Sequence, residues 1–217
     1  MLSMIVLIVY TKTNIDVHNE MNNEQIRKKK PMKYPEGKTL IVCQTWSLSH
    51  WKDKVLNKCI SNLLSVETYR SSLQESAKNL ATFDVVITSN ITLISEYKNN
   101  CMLYKIKWKR IIIDDSMAII KSRNNQMAEA VCALVANKRW ALTNKPVETE
   151  RDVYSILKFL NCSPLDNRNV WEEWIKCKDS AYDNKKLEFI VMTITLRRTI
   201  QSLMAKGDID LPYNFYL

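Results

Sequence analysis

The segment Ile111–Asp115 carries the sharpest chemical signal in the sequence, because three isoleucines are followed directly by two aspartates. An apolar strand that ends in acids is a common way for nucleotide-hydrolysing folds to hold Mg²⁺ and to position water. A hard divalent cation prefers carboxylate oxygen, so Asp114 is a candidate metal ligand and Asp115 a candidate for orienting the attacking water. The alternative is that both acids only cap a following helix.

The number of glycines limits what these acids can do. The chain has 217 residues and only two glycines, Gly37 and Gly207. Loops that bind phosphate need several glycines so that the backbone can approach the anion, and neither G-x-G-x-x-G nor G-x-x-x-x-G-K-[ST] occurs here. Glu36–Thr39 imitates the end of such a loop, but an apolar run follows it, which favours a turn before a strand. The sequence therefore excludes a self-sufficient P-loop enzyme.

Positive charge is the second signal. The formal net charge is +9, which favours an acidic partner. One group of residues interleaves basic and aromatic side chains, as surfaces that hold a phosphate backbone and stack on bases do. Its members are Lys98, Lys105, Lys107, Trp108, Lys109 and Arg110. A solvated loop is the alternative.

The cysteines and histidines do not indicate a metal site. The chain has six cysteines, none in a C-x-x-C pair, and two histidines, His18 and His50. Zinc sites of the usual spacing are therefore unsupported. We expect buried, reduced thiols in an intracellular protein.

Four short β-branched runs predict the strands that would position the two acids. They are Thr39–Cys43, Asp84–Thr88, Arg110–Asp114 and Arg139–Thr143. Longer stretches of helical period follow each run, and this alternation predicts an α/β fold with a mainly parallel, twisted sheet flanked by helices. Ligands of such sheets bind beyond the carboxyl ends of the strands. The polar residues expected to converge there are Gln44, Thr45, Ser89, Asn90, Asp115, Ser116, Asn144 and Lys145.

Apolar residues at helical spacing predict the helices. One face is formed by Leu48, Trp51, Val55 and Cys59, a second by Met127, Val131, Leu134 and Val135, and a third by Val153, Ile156, Leu157 and Leu160. Thr149 is the expected N-cap of the third helix. Further helices are predicted around Val170–Cys177 and Lys185–Thr195.

Residues 1–38 are expected to be an irregular segment followed by a basic linker. The apolar stretch Met1–Tyr10 is too short to cross a bilayer, and we expect a buried strand or an irregular start, with Met4–Tyr10 filling an open sheet edge. The basic run Arg27–Lys33 is either a nuclear localisation signal or a solvated linker.

Taken in order, these segments resemble the motifs of Swi/Snf-type helicase ATPases. The matching segments are Thr39–Cys43, Trp51, Asp84–Thr88, Trp108–Asp115, Arg139–Thr143 with Pro146, Asp152–Pro164 and Leu196–Thr199. The residues of these segments are most similar to those of the transcription termination factor 2 (lodestar) branch of the family. The resemblance covers about residues 39–212 and leaves 213–217 as a tail.

The resemblance implies a RecA-like first lobe, incomplete because neither the phosphate-loop strand nor a second lobe is expected. It also implies ATP and Mg²⁺ as cofactors, double-stranded DNA and a nuclear protein as partners, no membrane, and a nuclear location in chromatin remodelling or transcription termination. Its residue roles are Asp114 for Mg-ATP and Asp115 for catalysis. Contacts to nucleic acid are expected from Ser47, Thr88 and Ser89, and coupling between motifs from Thr143 and Lys145.

Several positions depart from the family's motifs. Asp115 stands where the family has glutamate, Met117 replaces a histidine, Asn144 a glycine, and Gln44 a proline. A misplacement of about 1 Å can lower a rate roughly 10²-fold. The expected function is therefore a partial DNA-dependent ATPase that is not catalytically competent alone. The alternative is a non-catalytic nuclear module that binds DNA or protein, a pseudoenzyme, or a decayed fragment without independent function.

Overall fold

The computed structural model of the chain describes residues 1–21, 34–58, 63–71, 76–99, 102–116, 125–144, 147, 149–175 and 180–197. The chain divides into two units, Met1–Trp171 and Glu172–Leu217. All the strands and both predicted acids belong to the first unit. Within the described part of the chain, no helix is both long and apolar enough to cross a membrane.

A five-stranded parallel sheet forms the centre of the first unit. Its strands are β1 (Glu36–Cys43), β2 (Val66–Tyr69), β3 (Val85–Ser89), β4 (Lys107–Ile113) and β5 (Ala136–Ala141). They are arranged in the order β2-β3-β1-β4-β5, and all four pairings are parallel. The predicted mainly parallel α/β fold is therefore confirmed. The short edge strand β2 was not predicted, because only its first and last residues are apolar.

The described residues contain eight helices, the last of which lies in the second unit. They are α1 (Leu2–Met21), α2 (Leu48–Lys58), α3 (Ala77–Thr82), α4 (Asn90–Asn99), α5 (Asn125–Ala133), α6 (Glu150–Leu160), α7 (Arg168–Ile175) and α8 (Ser180–Ile194). Short 3₁₀ turns occur at Thr45–Ser47 and Met102–Lys105. Helices α1 and α2 pack on one face of the sheet, where Ile8 and Trp51 join the core around Ile41. Helices α3 to α6 pack on the other face.

The structure corrects the prediction for the amino terminus. Leu2–Met21 is helix α1, so the expected irregular start and the strand expected over Met4–Tyr10 are both wrong. Met4, Ile5 and Ile8 are buried against the sheet, whereas other apolar side chains of α1 remain exposed. A stretch that is apolar all round has no helical period to read, and its contact with the sheet selects the helix. The basic run Arg27–Lys33 lies outside the described residues.

Most of the predicted helical faces are confirmed. Each of the three predicted sets lies mainly on one helix, α2, α5 or α6, and most of its members are buried. Leu134 and Val135 both follow α5, which ends at Ala133. Leu134 is buried all the same, whereas Val135 is 44% exposed and its place on the apolar face is wrong. Cys59 lies outside the described residues. Thr149 is the N-cap of α6 and forms a capping box with Asp152, in which each side chain accepts a hydrogen bond from the other residue's backbone N–H.

Gly37 marks a close approach at the start of β1. A Cβ atom at this position would lie 2.6 Å from Cγ2 of Ile106 and 2.8 Å from Cε3 of Trp108. Only glycine allows the two side chains to pack over the strand at this distance. The segment Glu36–Thr39 belongs to β1 itself, so it is neither a phosphate loop nor the turn that was expected before the strand.

Candidate functional site at the carboxyl edge of the sheet

The carboxyl ends of four neighbouring strands meet at one edge of the sheet. Val42 of β1 lies beside Thr88 of β3 and Ile113 of β4, and Ile113 lies beside Ala141 of β5. The polar residues after these strands therefore follow at the same level, as predicted. Side chains connect them, since Nδ2 of Asn90 donates a hydrogen bond to Oε1 of Gln44 at 2.9 Å. We refer to this edge as the carboxyl edge.

Asp114 lies at the end of β4 with both carboxylate oxygens engaged. Its Oδ2 accepts a hydrogen bond of 2.7 Å from Nε1 of Trp51 on α2, and its Oδ1 accepts one of 3.1 Å from the backbone N–H of Asp115. The sequence placed Trp51 on an apolar helix face and among the segments of the resemblance but gave it no contact, although its indole N–H is a donor that needs a partner when buried. The structure therefore adds Trp51 as the residue that orients the candidate metal ligand.

Asp115 and Ser116 carry polar atoms that the surrounding protein does not satisfy. Asp115 has a left-handed backbone, with φ at 52°, which aspartate tolerates better than most residues. Its Oδ1 and the Oγ of Ser116 are buried and find no hydrogen-bond partner in the described residues. The backbone N–H of Ser116 donates to the carbonyl of Leu142 at 2.7 Å, which ties this turn to the end of β5.

The thiol of Cys43 is buried next to this site. Burial, followed by the negative charge of Asp114, raises the pKa of Cys43 to about 12. The thiol therefore stays protonated at neutral pH, as expected of a structural cysteine. Among the described residues, Cys43, Cys132 and Cys162 are free thiols.

The three residues predicted to contact nucleic acid are all buried. Ser47 is 4% exposed, Ser89 3% and Thr88 0%. Oγ1 of Thr88 donates to the carbonyl of Tyr69 at 3.1 Å. Oγ of Ser89 accepts the backbone N–H of Thr92 at 3.0 Å and thereby caps helix α4. These contacts support the edge structurally, and the roles of the three residues in binding DNA stay predictions.

Other residues form the accessible surface of the carboxyl edge. Trp46 is 76% exposed in the 3₁₀ turn after β1, and the neighbouring Thr45 is exposed as well. The sequence analysis did not single out Trp46, although an aromatic residue within three positions of the end of a strand in such a sheet is a usable signal. Thr143 follows β5 and is also exposed, whereas Lys145 lies outside the described residues.

The patch of basic and aromatic residues does not have the form that the sequence indicated. Lys107–Arg110 is the start of strand β4, so it is not a solvated loop. Trp108 is fully buried, and its Nε1 donates to the carbonyl of Leu103 at 3.1 Å. Trp108 therefore cannot stack on a base, and the interleaved stacking surface is wrong.

The chain belongs to the SNF2-related family, because the model of the SNF2-related domain matches residues 1–214. Transcription termination factor 2 of Drosophila melanogaster is 34% identical over 176 residues, which are 80% of this chain and 16% of the relative. Helicase-like transcription factor of Mus musculus is 33% identical over 184 residues, 80% of this chain and 18% of the relative. The chain thus spans less than a fifth of the length of these two relatives.

Solved structures show the same fold. The Sulfolobus solfataricus SWI2/SNF2 ATPase core domain matches 92% of this chain and 38% of its own, with a TM-score of 0.62 and 21% identity. The same core in complex with double-stranded DNA matches 88% of this chain and 37% of its own, with a TM-score of 0.58 and 23% identity. The sheet and its helices therefore correspond to the RecA-like lobe of that core.

Membership in this family implies dependence on ATP and Mg²⁺, but the described residues do not fit a Mg²⁺ site built by this chain. Each carboxylate oxygen of Asp114 accepts one hydrogen bond, from the indole N–H of Trp51 or the backbone N–H of Asp115, and keeps a further lone pair. The described residues contain no group of three acids, histidines or cysteines that could hold a metal ion. The described strands and helices also provide no glycine-rich loop for the nucleotide phosphates that usually complete a Mg²⁺ site.

Proposed function

We propose that this chain is a DNA-binding lobe of the Swi/Snf type that does not hydrolyse ATP on its own. The observation that carries the proposal is the carboxyl edge, where polar strand ends converge although the described residues contain no group of three acids, histidines or cysteines that could hold a metal ion. The edge thus keeps its converging strand ends, although the described residues supply neither a metal-ligating group nor a glycine-rich phosphate loop. The site and net charge support binding more than catalysis.

Binding to duplex DNA is supported by charge and by the structural relative. The chain carries a net charge of +9, and one solved structure with the same fold is a complex with double-stranded DNA. Because Ser47, Thr88 and Ser89 are buried, we assign the contact surface to Thr45 and Trp46 at the same edge. Contacts to the phosphate backbone predict binding that is independent of base sequence and weakens as salt rises.

The test of DNA binding is fluorescence anisotropy with two labelled duplexes of unrelated sequence over a series of salt concentrations. Thr45→Glu places a negative charge on the carboxyl edge and should weaken binding roughly fivefold at low salt. Thr82→Glu is the matched control, since Thr82 is exposed just before β3 begins, at the opposite edge of the sheet. Equal loss in both variants, or no binding by the unmodified chain, would contradict the proposal.

The test of catalysis is phosphate release from Mg-ATP by the purified chain, with and without duplex DNA. We expect no release above that of Asp114→Asn, a variant that keeps an acceptor for Trp51 but removes the charge. Turnover that is abolished by Asp114→Asn would instead show an autonomous ATPase. If neither DNA binding nor turnover is observed, the protein-binding module or the fragment without independent function takes their place.

Location in the nucleus belongs to the same proposal. It is supported by the proposed DNA partner and by the basic run Arg27–Lys33. A fluorescent fusion of the chain should accumulate in nuclei, and replacing Lys28, Lys29 and Lys30 by glutamine should spread it through the cell. Unchanged accumulation of that variant would assign the run to a linker.

A further inference from the structure

A cavity of about 440 Å³ lies at the amino edge of the sheet, opposite the carboxyl edge. Its walls are Ile8, Thr11 and Lys12 of α1, the starts of β1, β4 and β5, and the residues Leu64 and Asp84. Five basic and two acidic side chains line it. A volume of this size is typical of sites that bind small molecules. The cavity is distinct from the site proposed to contact DNA.

Two of the basic side chains share one carboxylate. Nζ of Lys12 lies 2.8 Å from Oδ2 of Asp84, and Nζ of Lys38 lies 2.6 Å from Oδ1. The backbone N–H and the hydroxyl of Ser65 also donate to Oδ2. Burial alone would raise the pKa of Asp84, but the hydrogen bonds from Lys12, Lys38 and Ser65 outweigh it and hold the pKa well below its usual range. This carboxylate is therefore fully engaged, and the other acid, Glu36, is exposed.

Arg110 is the unexplained group in the cavity. Its side chain is 3% exposed, and Nη2 donates to Oγ1 of Thr11 at 3.1 Å. Its Nε is buried with no hydrogen-bond partner, and no acid in the described ranges forms an ion pair with the guanidinium. Burial lowers the pKa of Arg110. A buried guanidinium without a counter-charge is costly, so this arrangement lacks an anion.

Two lysines next to Arg110 on β4 also lack an acidic partner. Neither Lys107 nor Lys109 forms an ion pair with any acid that the structure describes. Burial, then the positive charges of Arg110, Lys138 and Lys38, lower the pKa of Lys109. An anion placed between these cations would relieve their mutual repulsion.

We propose that this cavity binds a small molecule through a phosphate group, held by Arg110 together with Lys107 and Lys109. A guanidinium presents a planar fork of N–H donors that matches phosphate oxygens, and lysines add charge from the sides. A volume of about 440 Å³ favours a small phosphorylated compound over a polymer. The inference does not depend on the proposed function, because the two sites lie at opposite edges of the sheet.

The test is isothermal titration calorimetry on the full chain at low ionic strength with inorganic phosphate, pyrophosphate and tripolyphosphate. We expect one saturable site whose affinity rises with the charge of the probe. Lys109→Gln should weaken tripolyphosphate binding roughly tenfold, as expected for the loss of a hydrogen bond to a charged group. Lys98→Gln is the matched control, because this variant removes the same charge on α4, outside the cavity. It should leave the affinity for tripolyphosphate unchanged.

A second variant examines the role of Arg110 without removing its charge. Arg110→Lys should keep the fold, as checked by circular dichroism, and weaken tripolyphosphate binding because the planar donors are lost. Absence of a saturable site, or equal weakening by Lys98→Gln and Lys109→Gln, would overturn the proposal. Displacement of tripolyphosphate by duplex DNA, with the same dependence on Lys109, would assign the cavity to a nucleic-acid interface instead. Retained DNA binding by Lys109→Gln would support two separate sites.

Discussion

The indole nitrogen of Trp51 lies 2.7 Å from Oδ2 of Asp114, so that a charge-assisted hydrogen bond joins helix α2 to the end of strand β4. Trp51 is fully buried. Trp51 therefore has two roles. It packs α2 against the sheet, and it orients the carboxylate of the candidate metal ligand. A substitution of Trp51 should therefore lower the free energy of unfolding and also change the orientation of Asp114 at the carboxyl edge.

Trp51→Phe should lower the free energy of unfolding by about 1–3 kcal/mol, because it leaves one oxygen of Asp114 without its donor. Urea unfolding followed by far-UV circular dichroism measures this loss. Trp46→Phe is the control, since Trp46 is 76% exposed, and we expect almost no change in its stability. Equal stability of the two variants would show that the hydrogen bond contributes nothing.

Gly37→Ala should destabilise the protein by about 1–3 kcal/mol through overpacking, because the new Cβ would meet Cγ2 of Ile106 at 2.6 Å. Thermal or urea unfolding gives the loss. Ile106→Ala removes the atom that clashes, so the double variant should lose less than the sum of the two single variants. Strict additivity would contradict the clash as the cause.

Asp84→Asn should make stability less dependent on pH in acid. The pKa of Asp84 lies below its ordinary value of 3.8 in the folded protein, so its stabilising contribution is complete above about pH 4 and is lost as the pH falls further toward the folded pKa. At pH 7 we expect the variant to be less stable by about 2 kcal/mol, and this difference should shrink below pH 4.

Urea unfolding at several pH values measures this effect. The control is Asp53→Asn, because Asp53 is exposed on α2 and forms no ion pair within the described residues. A difference between Asp84→Asn and the unmodified chain that stays constant from pH 7 to pH 3 would contradict the role of the carboxylate charge.

The central strands could be predicted from the sequence because their burial leaves continuous β-branched runs. Ile111–Ile113 is fully buried in β4 and reads as a strand without any knowledge of its neighbours. Edge strand β2 could not be found in this way, since Val66–Tyr69 is short and its Glu67 and Thr68 are polar. The segment forms a strand because it pairs in parallel with β3, and this pairing cannot be predicted from the four residues of β2 alone.

The candidate site could be predicted only in part. Parallel strand ends must meet at one edge, so the convergence of the polar residues there followed from the order of strands and helices. The order of strands and helices does not show which side chains are exposed at this edge, because the burial of Thr88 and Ser89 depends on contacts with Tyr69 and Thr92. The burial of Arg110 could not be predicted either, since its hydrogen-bond partner, Thr11, lies 99 positions away on a helix that the sequence did not predict.

Ser89→Ala should lower the free energy of unfolding by about 1 kcal/mol, because the Oγ of Ser89 caps α4 by accepting the backbone N–H of Thr92 at 3.0 Å. Ser89→Thr keeps the hydroxyl and should recover most of this loss. Urea unfolding measures stability, and anisotropy with a labelled duplex measures DNA affinity for the same variants. If Ser89 acts only as a cap, Ser89→Ala binds DNA as the unmodified chain does at temperatures where both are folded. A loss of DNA affinity that exceeds the loss of folded protein would instead give Ser89 the direct contact that the resemblance implies.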